Sequence, residues 1–465
     1  MLLASKKNHR MLNRLAGLTL VAMFIVFNVC HAADNFPDRL ELLIELQNRQ
    51  YEQLEKRLHS YHSGSQDFKA DEKLLAFTFE TLANSNPEYA SLFSDWIEAF
   101  PQSYFALVAR AHYYYGVAWS WRGHRRIENT STLRLQNMKE FLRLAALDLS
   151  RAIEIENELA IADALALKVL MLLDEKQYQQ KALKEALQLY PQSYLVRSAY
   201  LWSLKPEWGG EAGELMKFIH ATEELAGEAP VLSSLLGYAD YIFAESLAER
   251  GQYQEAAVHF DFAVDKGADH HIYRERGINH YQLGNYAAAR KDFDAALALW
   301  PQDPKTLRWR SHALRRLGEN DAAYGDIDLA ARLAPMDRHI LMAYALLSRK
   351  LKRFEGVLAS YDRALFYNQD DAAIWYERGM HFSHELVDFP AAGENFQRAT
   401  ELDPGVPAYW YEYAAVLHYQ LDCGIVEPLD HYLELCDAGS SCKAGELEWA
   451  RHAQDWLQET RRCSS

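Results

Sequence analysis

Residues 270–303, HHIYRERGINHYQLGNYAAARKDFDAALALWPQD, are followed directly by residues 304–337, PKTLRWRSHALRRLGENDAAYGDIDLAARLAPMD. The two stretches have the same length and carry small residues, a turn glycine and a late proline at matching positions. The matching residues are Tyr273, Gly277, Gly284, Tyr286, Ala289, Phe293, Ala296 and Pro301 in the first stretch, and Leu307, Ser311, Gly318, Ala323, Ile327, Ala330 and Pro335 in the second. A fixed period of this length is typical of stacked helical repeats.

The period continues on both sides of these two units. An earlier unit begins at Gly237, and later units begin at Arg338 and Ala372. The shared positions resemble the tetratricopeptide repeat, W-x2-L-G-x2-Y followed by A-x3-F-x2-A and proline, over residues 237 to about 421. The resemblance implies an all-α fold, a right-handed α-α superhelix of antiparallel helical hairpins, with five tandem units in residues 237–406.

The repeated positions have a physical reason. Small residues at the eighth, twentieth and twenty-seventh positions let two antiparallel helices approach closely, and stacking covers the apolar face that one hairpin leaves open. Arg276 and Asp292 occupy the seventh and twenty-third positions of their unit, as do Arg310 and Asp326 in the next. We expect each arginine to form an internal ion pair rather than to bind a ligand.

The N-terminal half follows the same rule less strictly. We predict a helical segment at residues 33–69 and a degenerate repeat domain at residues 70–236, in which the tetrapeptide Pro-Gln-Ser-Tyr occurs twice, at 101–104 and 191–194, at the start of a helix. The turn predicted at residues 122–137 is an insertion rich in Arg, Asn, Ser and Thr. Long loops in compact arrays are uncommon and often functional.

Two short motifs mark predicted turns of this half: an aromatic helix that ends in Arg122-Gly123, and Trp208-Gly209-Gly210. The motifs are two hairpins apart and so lie on the same edge of the solenoid. They resemble motifs of an uncharacterised bacterial domain that accompanies tetratricopeptide repeats, over about residues 80–225, and that family has no assigned activity. Helix packing explains most of the aromatic residues, and a sugar-stacking or peptide-binding platform is the alternative. The candidate turn-edge site consists of Trp119, Trp121, Arg122, Gly123, Trp208, Gly209 and Gly210.

The N-terminal segment, residues 1–32, has the pattern of a secretory signal peptide: four basic residues, an apolar run from Leu15 to Val29, and small residues near Ala32. The run is shorter than the roughly 20 residues of a transmembrane helix, so we predict cleavage after Ala32, a periplasmic or secreted protein, and no stable membrane span. Cleavage would take the formal charge from −16 to −20. An acidic chain without a basic run is a poor candidate for nucleic-acid binding.

The four cysteines after the predicted signal peptide all lie between Cys423 and Cys463, in a predicted cap at residues 407–465. Their spacing lacks the C-x2-C pairs typical of structural zinc, and export favours disulfides. Antiparallel helices over Glu427–Cys436 and Glu446–Thr460 would pair Cys423 with Cys463 and Cys436 with Cys442. These bridges would close the end of the array.

No short motif with a catalytic or nucleotide-binding mechanism occurs in the chain. His270, His271 and His280 are close in sequence and could bind a metal, but we expect them on a helix surface. We therefore predict no catalytic residue, no cofactor and no metal.

The concave face of a tetratricopeptide array is lined by fixed positions of each first helix. In this acidic chain those positions give a locally basic groove, which would suit an acidic or C-terminal carboxylate segment because arginine offers a bidentate fork; solvated helix faces are the alternative. The predicted partner-binding residues are Arg274, Tyr281, Lys305, Arg308, His312, Arg315, Arg316, Arg349, Lys350 and Tyr376.

These observations predict a non-enzymatic, protein-binding scaffold of the bacterial periplasm or cell envelope, with one or more envelope proteins as partners. Two alternatives stay open. One is a module that binds peptidoglycan or another glycan. The other is an envelope enzyme with its site at the 122–137 insertion and the 205–210 turn.

Overall fold

The computed structural model describes residues 36–65, 71–123 and 130–460. The predicted signal peptide and its cleavage site, the middle of the predicted insertion, and Cys463 lie outside the described residues. The regular elements of the described residues are helices, with no strand among them, so the predicted all-α solenoid is confirmed. None of the described helices is both long and apolar enough to span a membrane.

The chain divides into two compact units, which meet in sequence at Ala334 and Pro335. The described part of the first unit contains sixteen α-helices. These helices are α1 (Arg39–Gln47), α2 (Tyr51–Ser65), α3 (Asp71–Leu82), α4 (Tyr89–Ala99), α5 (Tyr104–Arg122), α6 (Thr132–Ile155), α7 (Ala160–Leu172), α8 (Lys176–Leu189), α9 (Tyr194–Ser203), α10 (Ala212–Ala226), α11 (Tyr238–Glu249), α12 (Tyr253–Lys266), α13 (His270–Gln282), α14 (Tyr286–Leu299), α15 (Pro304–Arg316) and α16 (Asn320–Leu333). Short 3-10 helices cover Pro206–Trp208 and Pro230–Leu235.

The second unit contains seven further α-helices among the described residues. They are α17 (Arg338–Lys350), α18 (Val357–Tyr367), α19 (Ala372–His381), α20 (Phe389–Leu402), α21 (Pro407–Gln420), α22 (Val426–Asp437) and α23 (Ala444–Thr460). A π-helical turn, Phe382–Leu386, extends α19, and a 3-10 turn, Cys423–Ile425, precedes α22.

Aspartates start the first helices of successive repeats. Asp269, Asp303, Asp337 and Asp371 recur at one constant spacing, and each side chain accepts a hydrogen bond from a backbone N–H of the helix that follows. An acceptor at this position satisfies N–H groups that have no partner within the helix. The serines of the two Pro-Gln-Ser-Tyr tetrapeptides cap α5 and α9 in the same way, as expected for helix starts.

Close contact between paired helices depends on the small residue at the eighth repeat position. A Cβ on Gly277 would lie 2.6 Å from the Phe293 ring, and a Cβ on Gly379 would lie 2.7 Å from the Phe396 ring. In the repeat that begins at Pro304, the buried Ser311 Oγ donates to the carbonyl of Ala323 at 2.7 Å. The helices therefore approach to a distance that admits only small side chains.

The two predicted ion pairs are confirmed. Arg276 contacts Asp292 at 2.7 Å, and Arg310 contacts Asp326 at 2.7 Å. The degenerate half has the same kind of contact, since Arg110 on α5 makes two 2.7 Å hydrogen bonds to Asp148 on α6. An arginine–aspartate ion pair therefore joins the two helices of a pair in both halves of the first unit.

The predicted insertion at residues 122–137 is too long. Helix α6 begins at Thr132, where the Ser131 side chain accepts a hydrogen bond from the Arg134 N–H. Residues 132–137 are therefore helical and do not belong to a loop. The polar composition that suggested a loop is in part the cap and first turn of a helix.

The first unit closes on itself. Arg39 donates from its backbone N–H to Gln302 Oε1 at 3.0 Å, and Asn84 Nδ2 donates to the carbonyl of Leu333 at 3.4 Å. Trp300 contacts Phe77, with 5.5 Å between ring centroids, and its Nε1 donates to Glu80 at 3.1 Å. Residues 36–84 thus pack against residues 300–333, and α3 also packs against α5, α7 and α9.

In the second unit, α22 and α23 coincide closely with the two helices predicted for the cap. The predicted disulfide between Cys436 and Cys442 is present, with the Cα atoms 5.7 Å apart. The predicted Cys423–Cys463 bridge involves Cys463 and stays a prediction.

Candidate functional site

Helices α13, α14 and α15 carry a cluster of aromatic side chains. The Tyr281 ring lies 5.6 Å from Trp309, 5.3 Å from Tyr286 and 6.3 Å from His312, measured between centroids. Trp309 was absent from the predicted groove, although it lies beside Arg308 in sequence. Rings from three helices thus form one contiguous patch.

Cationic side chains border this patch. Arg308 lies over Trp309 with its guanidinium carbon 4.9 Å from the ring centroid, and Arg316 lies over Tyr286 at 4.8 Å. Lys305, Arg315 and Arg316 form no ion pair with a carboxylate of the described residues. We name these residues the basic surface: Tyr281, Lys305, Arg308, Trp309, His312, Arg315 and Arg316.

The positive charge of the basic surface affects the pKa of His312. Burial, and then the positive charges of Arg308 and Arg315, lower the pKa of His312 to about 4. The ring is therefore neutral at physiological pH, and the charge of the surface comes from lysine and arginine. Because like charges lie close together, an anion would be stabilised here.

Arg274 was predicted in the same groove but already has partners. Its guanidinium lies 3.1 Å from Glu275 and 3.4 Å from Asp303, and its side chain is 13% exposed. We therefore leave Arg274 out of the basic surface.

The remaining predicted groove residues belong to the second unit. Arg349 is held by Glu377 at 2.9 Å and by Glu385 at 3.1 Å, and Tyr376 contacts Tyr409 with 4.8 Å between centroids. Lys350 is exposed. Two carboxylates neutralise Arg349, so this part of the prediction does not describe a basic groove.

The two predicted turn-edge motifs come together. The Trp119 ring lies 6.2 Å from Trp208 and 6.1 Å from Trp202, and Trp202 lies 5.5 Å from Trp208. All three indoles are half-buried. Trp202 was missed, although it shortly precedes Trp208 in the chain and has the same side chain.

The backbone conformation and close packing at these two motifs require glycine. Gly123 has φ +66°, and a Cβ there would lie 2.6 Å from the Arg134 guanidinium. Gly209 has φ +75°, and a Cβ on Gly210 would lie 2.1 Å from the Leu204 carbonyl oxygen. Trp121 and Arg122 are half-buried, and Arg122 donates to Thr130 Oγ1 at 3.1 Å. The Arg-Gly and Trp-Gly-Gly patterns therefore have a structural cause of their own.

The expectation that His270, His271 and His280 lie on a helix surface is wrong for His270. His270 is 7% exposed and stacks on Trp300 with centroids 4.7 Å apart, and His271 contacts His270 edge-on at 3.9 Å. His271 is half-buried, with its Nδ1 atom buried. His280 is half-buried and lies separately, 3.7 Å from Asp292.

Asp269, His270 and His271 could offer ligand atoms within 4.8 Å of one another. However, Asp269 Oδ1 accepts from two backbone N–H groups of α13, and Oδ2 accepts from Tyr194 and Tyr238 at 3.2 and 2.7 Å. The charges of Arg274, Lys168 and Lys205 also act on His271. A saturated carboxylate among cations does not fit a metal ion.

Sequence-family comparison agrees with the helix pattern. A tetratricopeptide-repeat model matches residues 241–304 and 274–337. The chain carries tetratricopeptide repeats. A second model, a domain of unknown function called DUF4034, matches residues 40–184. The resemblance of the N-terminal half to an uncharacterised repeat-associated domain is thereby confirmed.

Several solved tetratricopeptide-repeat structures are similar in fold. The C-terminal part of a repeat protein from Cytophaga hutchinsonii has 17% identity and a TM-score of 0.40, covering 48% of this chain and 89% of that one. YrrB, described as having an unusual peptide-binding site, has 19% identity and a TM-score of 0.34, covering 40% and 92%. MamA from Desulfovibrio magneticus has 20% identity and a TM-score of 0.34, covering 37% and 97%. With TM-scores this low, these likenesses carry no argument about function.

Proposed function

We propose that this tetratricopeptide-repeat protein is a non-enzymatic scaffold of the bacterial cell envelope that binds an acidic segment of a partner protein on its basic surface. The carrying observation is that Lys305, Arg315 and Arg316 face no neutralising carboxylate of the described residues, in a chain of net charge −16. Uncompensated cations beside aromatic faces can bind carboxylates by charge-assisted hydrogen bonds.

The aromatic rings would make the binding of the acidic segment more specific than charge alone. Tyr281 and Trp309 present large, rigid faces at low conformational cost, and such residues dominate the energetics of many protein interfaces. Arg308 and Arg316 stack on aromatic faces, so their side chains are already ordered. Less side-chain entropy is then lost when the partner binds.

Charge reversal tests the basic surface. The variant Arg308→Glu/Arg315→Glu/Arg316→Glu should bind a fluorescent, Glu-rich peptide about 10-fold more weakly or worse, since each lost charge-assisted hydrogen bond contributes about 1.5 to 3 kcal/mol. Fluorescence anisotropy at low and high salt measures the dissociation constant.

The matched control reverses three exposed lysines on second helices, Lys184, Lys217 and Lys291. It changes the net charge equally and should leave the affinity almost unchanged. Equal weakening in both variants would mean that net charge, and not the basic surface, holds the peptide. Circular dichroism confirms that both variants fold.

The envelope location rests on the signal-like sequence of residues 1–32. Fractionation of cells and N-terminal sequencing of the mature protein test it. We expect a periplasmic protein beginning at Ala33, and an intact N-terminus in the cytosolic fraction would contradict this.

A second candidate function, glycan binding, is favoured by the contact among Trp119, Trp202 and Trp208, because half-buried indoles offer an apolar face on which a sugar ring can stack. Peptidoglycan fragments should then raise the melting temperature of the wild type but not of Trp208→Ala. An unchanged wild-type melting temperature would argue against it.

An envelope enzyme at the 122–137 insertion and the 205–210 turn has less support. Lys205 is 4% exposed and engaged by Tyr241 and Glu245. Its role is structural, so it is not an available reactive group.

A further inference from the structure

Two turns of the second unit expose large apolar side chains. Val387 follows the π-helical turn after α19 and is 64% exposed, and Leu421 follows α21 and is 58% exposed. Between them in the chain, Tyr419 is 71% exposed, and its ring stacks almost parallel on Phe389 with 5.3 Å between centroids. We name five residues the apolar ridge: Leu386, Val387, Phe389, Tyr419 and Leu421.

The backbone at both turns is unfavourable for these side chains. Val387 and Leu421 each have φ +56°, in the left-handed region that residues other than glycine, Asn and Asp rarely adopt. Gly284 and Gly318 occupy the corresponding turn in earlier repeats, with φ +79° and +86°. In the repeat before Val387 the position holds Lys352, so the apolar side chains are confined to the last two turns. Packing within the described chain does not explain a strained and exposed valine, and such strain is typical of functional sites.

The residues of the apolar ridge lie on one continuous surface. Helix α20 begins at Phe389 and packs against both the π-helical turn and α21. The stacked rings of Phe389 and Tyr419 therefore join the Val387 turn to the Leu421 turn. Contiguous exposed apolar surface rimmed by polar residues is typical of interaction sites, and π-helical turns are frequent at functional sites.

The surroundings of the apolar ridge are acidic. Residues 379–442 contain eleven Asp and Glu residues, and Arg398 is their only Lys or Arg. Arg398 itself lies 2.8 Å from Glu401. Asp388 and Asp422, each directly after a turn residue of the ridge, are exposed, and neither forms an ion pair with a cation of the described residues. The ridge is therefore bordered by negative charge that is not neutralised.

A cavity extends this acidic surface along α22. Asp422 accepts a hydrogen bond from the Gly424 N–H at 2.8 Å, and Gly424 lines a cavity of about 450 Å³. The lining also includes three carboxylates, Glu427, Asp430 and Glu434, and one histidine. The cavity thus begins next to the apolar ridge and suits a long cationic side chain.

The charge around the ridge selects its occupant. Carboxylates repel an anionic membrane surface, a nucleic acid and an acidic peptide, so these ligands do not fit. A basic segment with one apolar face fits both features. Its apolar side chains would cover the ridge, as in other complexes that place an amphipathic segment on an apolar groove, and its cations would meet the carboxylates.

We propose that the apolar ridge and the adjoining cavity bind a basic amphipathic segment of a partner protein, with a lysine or arginine of that segment in the cavity. This site lies in the second unit and takes a partner opposite in charge to the one proposed for the basic surface. It does not rest on the proposed function. A chain with both surfaces would hold an acidic and a basic partner.

The main test replaces the two strained turn residues by glycine. Val387→Gly/Leu421→Gly should melt about 2 to 4 °C above the wild type, because glycine adopts the left-handed conformation without strain. It should bind a fluorescent amphipathic peptide of leucine and lysine about 10-fold more weakly, because two large apolar contacts are lost. Thermal unfolding and fluorescence anisotropy of the full chain measure the two properties. Unchanged affinity in this variant would overturn the apolar ridge.

The matched control is Lys352→Gly, at the same turn position one repeat earlier. Its φ of +57° gives the same relief of strain, so it should also melt at a higher temperature, but it should bind the peptide as the wild type does. Equal weakening in Lys352→Gly and the double glycine variant would mean that turn conformation, and not the ridge, sets the affinity.

A second variant removes charge and keeps the helix caps. In Asp388→Asn/Asp422→Asn/Glu427→Gln, asparagine can accept the same backbone hydrogen bonds as the two aspartates. Binding of the leucine–lysine peptide should weaken about 10-fold at low salt and much less at high salt.

Glu185→Gln/Glu223→Gln/Glu224→Gln, at exposed positions of α8 and α10, is the control for net charge. It should leave the affinity almost unchanged. Equal weakening in both triple variants would show that the peptide responds to net charge alone and would overturn the site.

Sedimentation of the wild type without peptide tests a second copy of the chain as the occupant. A dimer that dissociates in Val387→Gly/Leu421→Gly would overturn the basic partner in favour of self-association. The variants of the ridge leave the basic surface intact, so each should bind the Glu-rich peptide as the wild type does. The two proposals can therefore fail separately.

Discussion

In the first unit, Arg315 at the end of α15 reaches no carboxylate of the described residues, whereas in the second unit Arg349, at the equivalent repeat position on α17, is held by Glu377 and Glu385. The helix packing of the two regions is the same, since Gly277 and Gly379 each lie against a phenylalanine ring. The repeat pattern constrains the positions between helices and leaves the inner positions free. Function therefore has to be inferred from the inner side chains and not from the repeat.

The largest expected difference between the regions concerns the arginine at the seventh repeat position. Arg276→Met should lower the free energy of unfolding by about 3 kcal/mol, because Asp292 is left buried without its 2.7 Å partner. Arg378→Met in the second unit should cost only about 1 kcal/mol, because its buried partner is the neutral Asn395 and Asp362 is exposed. Urea denaturation measures both.

The double variant Arg276→Met/Asp292→Leu is the control for this comparison. It should recover most of the loss, since it removes both members of the pair. Equal losses in Arg276→Met and Arg378→Met would contradict the distinction between a charged and a neutral partner.

The next effect tests what the regions share. Gly277→Ala and Gly379→Ala should each cost about 2 kcal/mol, because the new methyl group would lie within 3 Å of a phenylalanine ring. Gly325→Ala on α16 is the matched control: nothing lies within 4 Å of its Cβ position, and the change should stabilise by up to about 1 kcal/mol. Thermal unfolding ranks the stabilities of the three variants. A Gly277→Ala variant as stable as the wild type would contradict the close approach of the two helices.

The smallest effect concerns a carboxylate of the second unit. Burial raises the pKa of Glu412, with Glu446 acting in the same direction and His384 and Lys443 opposing it. Folding raises the pKa of this carboxyl, so the protein loses stability as the pH rises from the pKa of the unfolded state through the pKa of the folded state. Glu412→Gln should therefore raise the melting temperature slightly at pH 8 and not at pH 4.

Glu448→Gln, at an exposed position on α23, is the control and should show no such dependence. A melting temperature for Glu412→Gln that is lower than the wild type at pH 8 would show that Glu412 has a stabilising partner.

The sequence predicted much of the fold because the repeat positions carry local physical information. Gly277 and the Arg276–Asp292 pair could be read directly from the spacing. The constant spacing of Asp269, Asp303, Asp337 and Asp371 was available as a helix-start signal but was overlooked. The start of α6 was missed because Ser131 and Thr132 suggest a loop by composition, although a serine is also a favoured cap.

The inner sites were harder to predict. His270 is buried against Trp300, which itself packs on Phe77 and Glu80 of α3, a contact between distant parts of the chain that leaves no local pattern. Trp202 could have been grouped with Trp208 from its identity and spacing alone.

The most direct test places a photocrosslinking amino acid at Trp309 in the first unit and, separately, at Tyr376 in the second, and irradiates each protein with the Glu-rich peptide. Mass spectrometry then measures the crosslinked fraction. The basic surface predicts strong crosslinking at position 309, loss of that signal at high salt, and little at position 376. Stronger crosslinking at position 376, or none at 309 while the peptide is bound, would contradict the assignment of the acidic segment to the first unit.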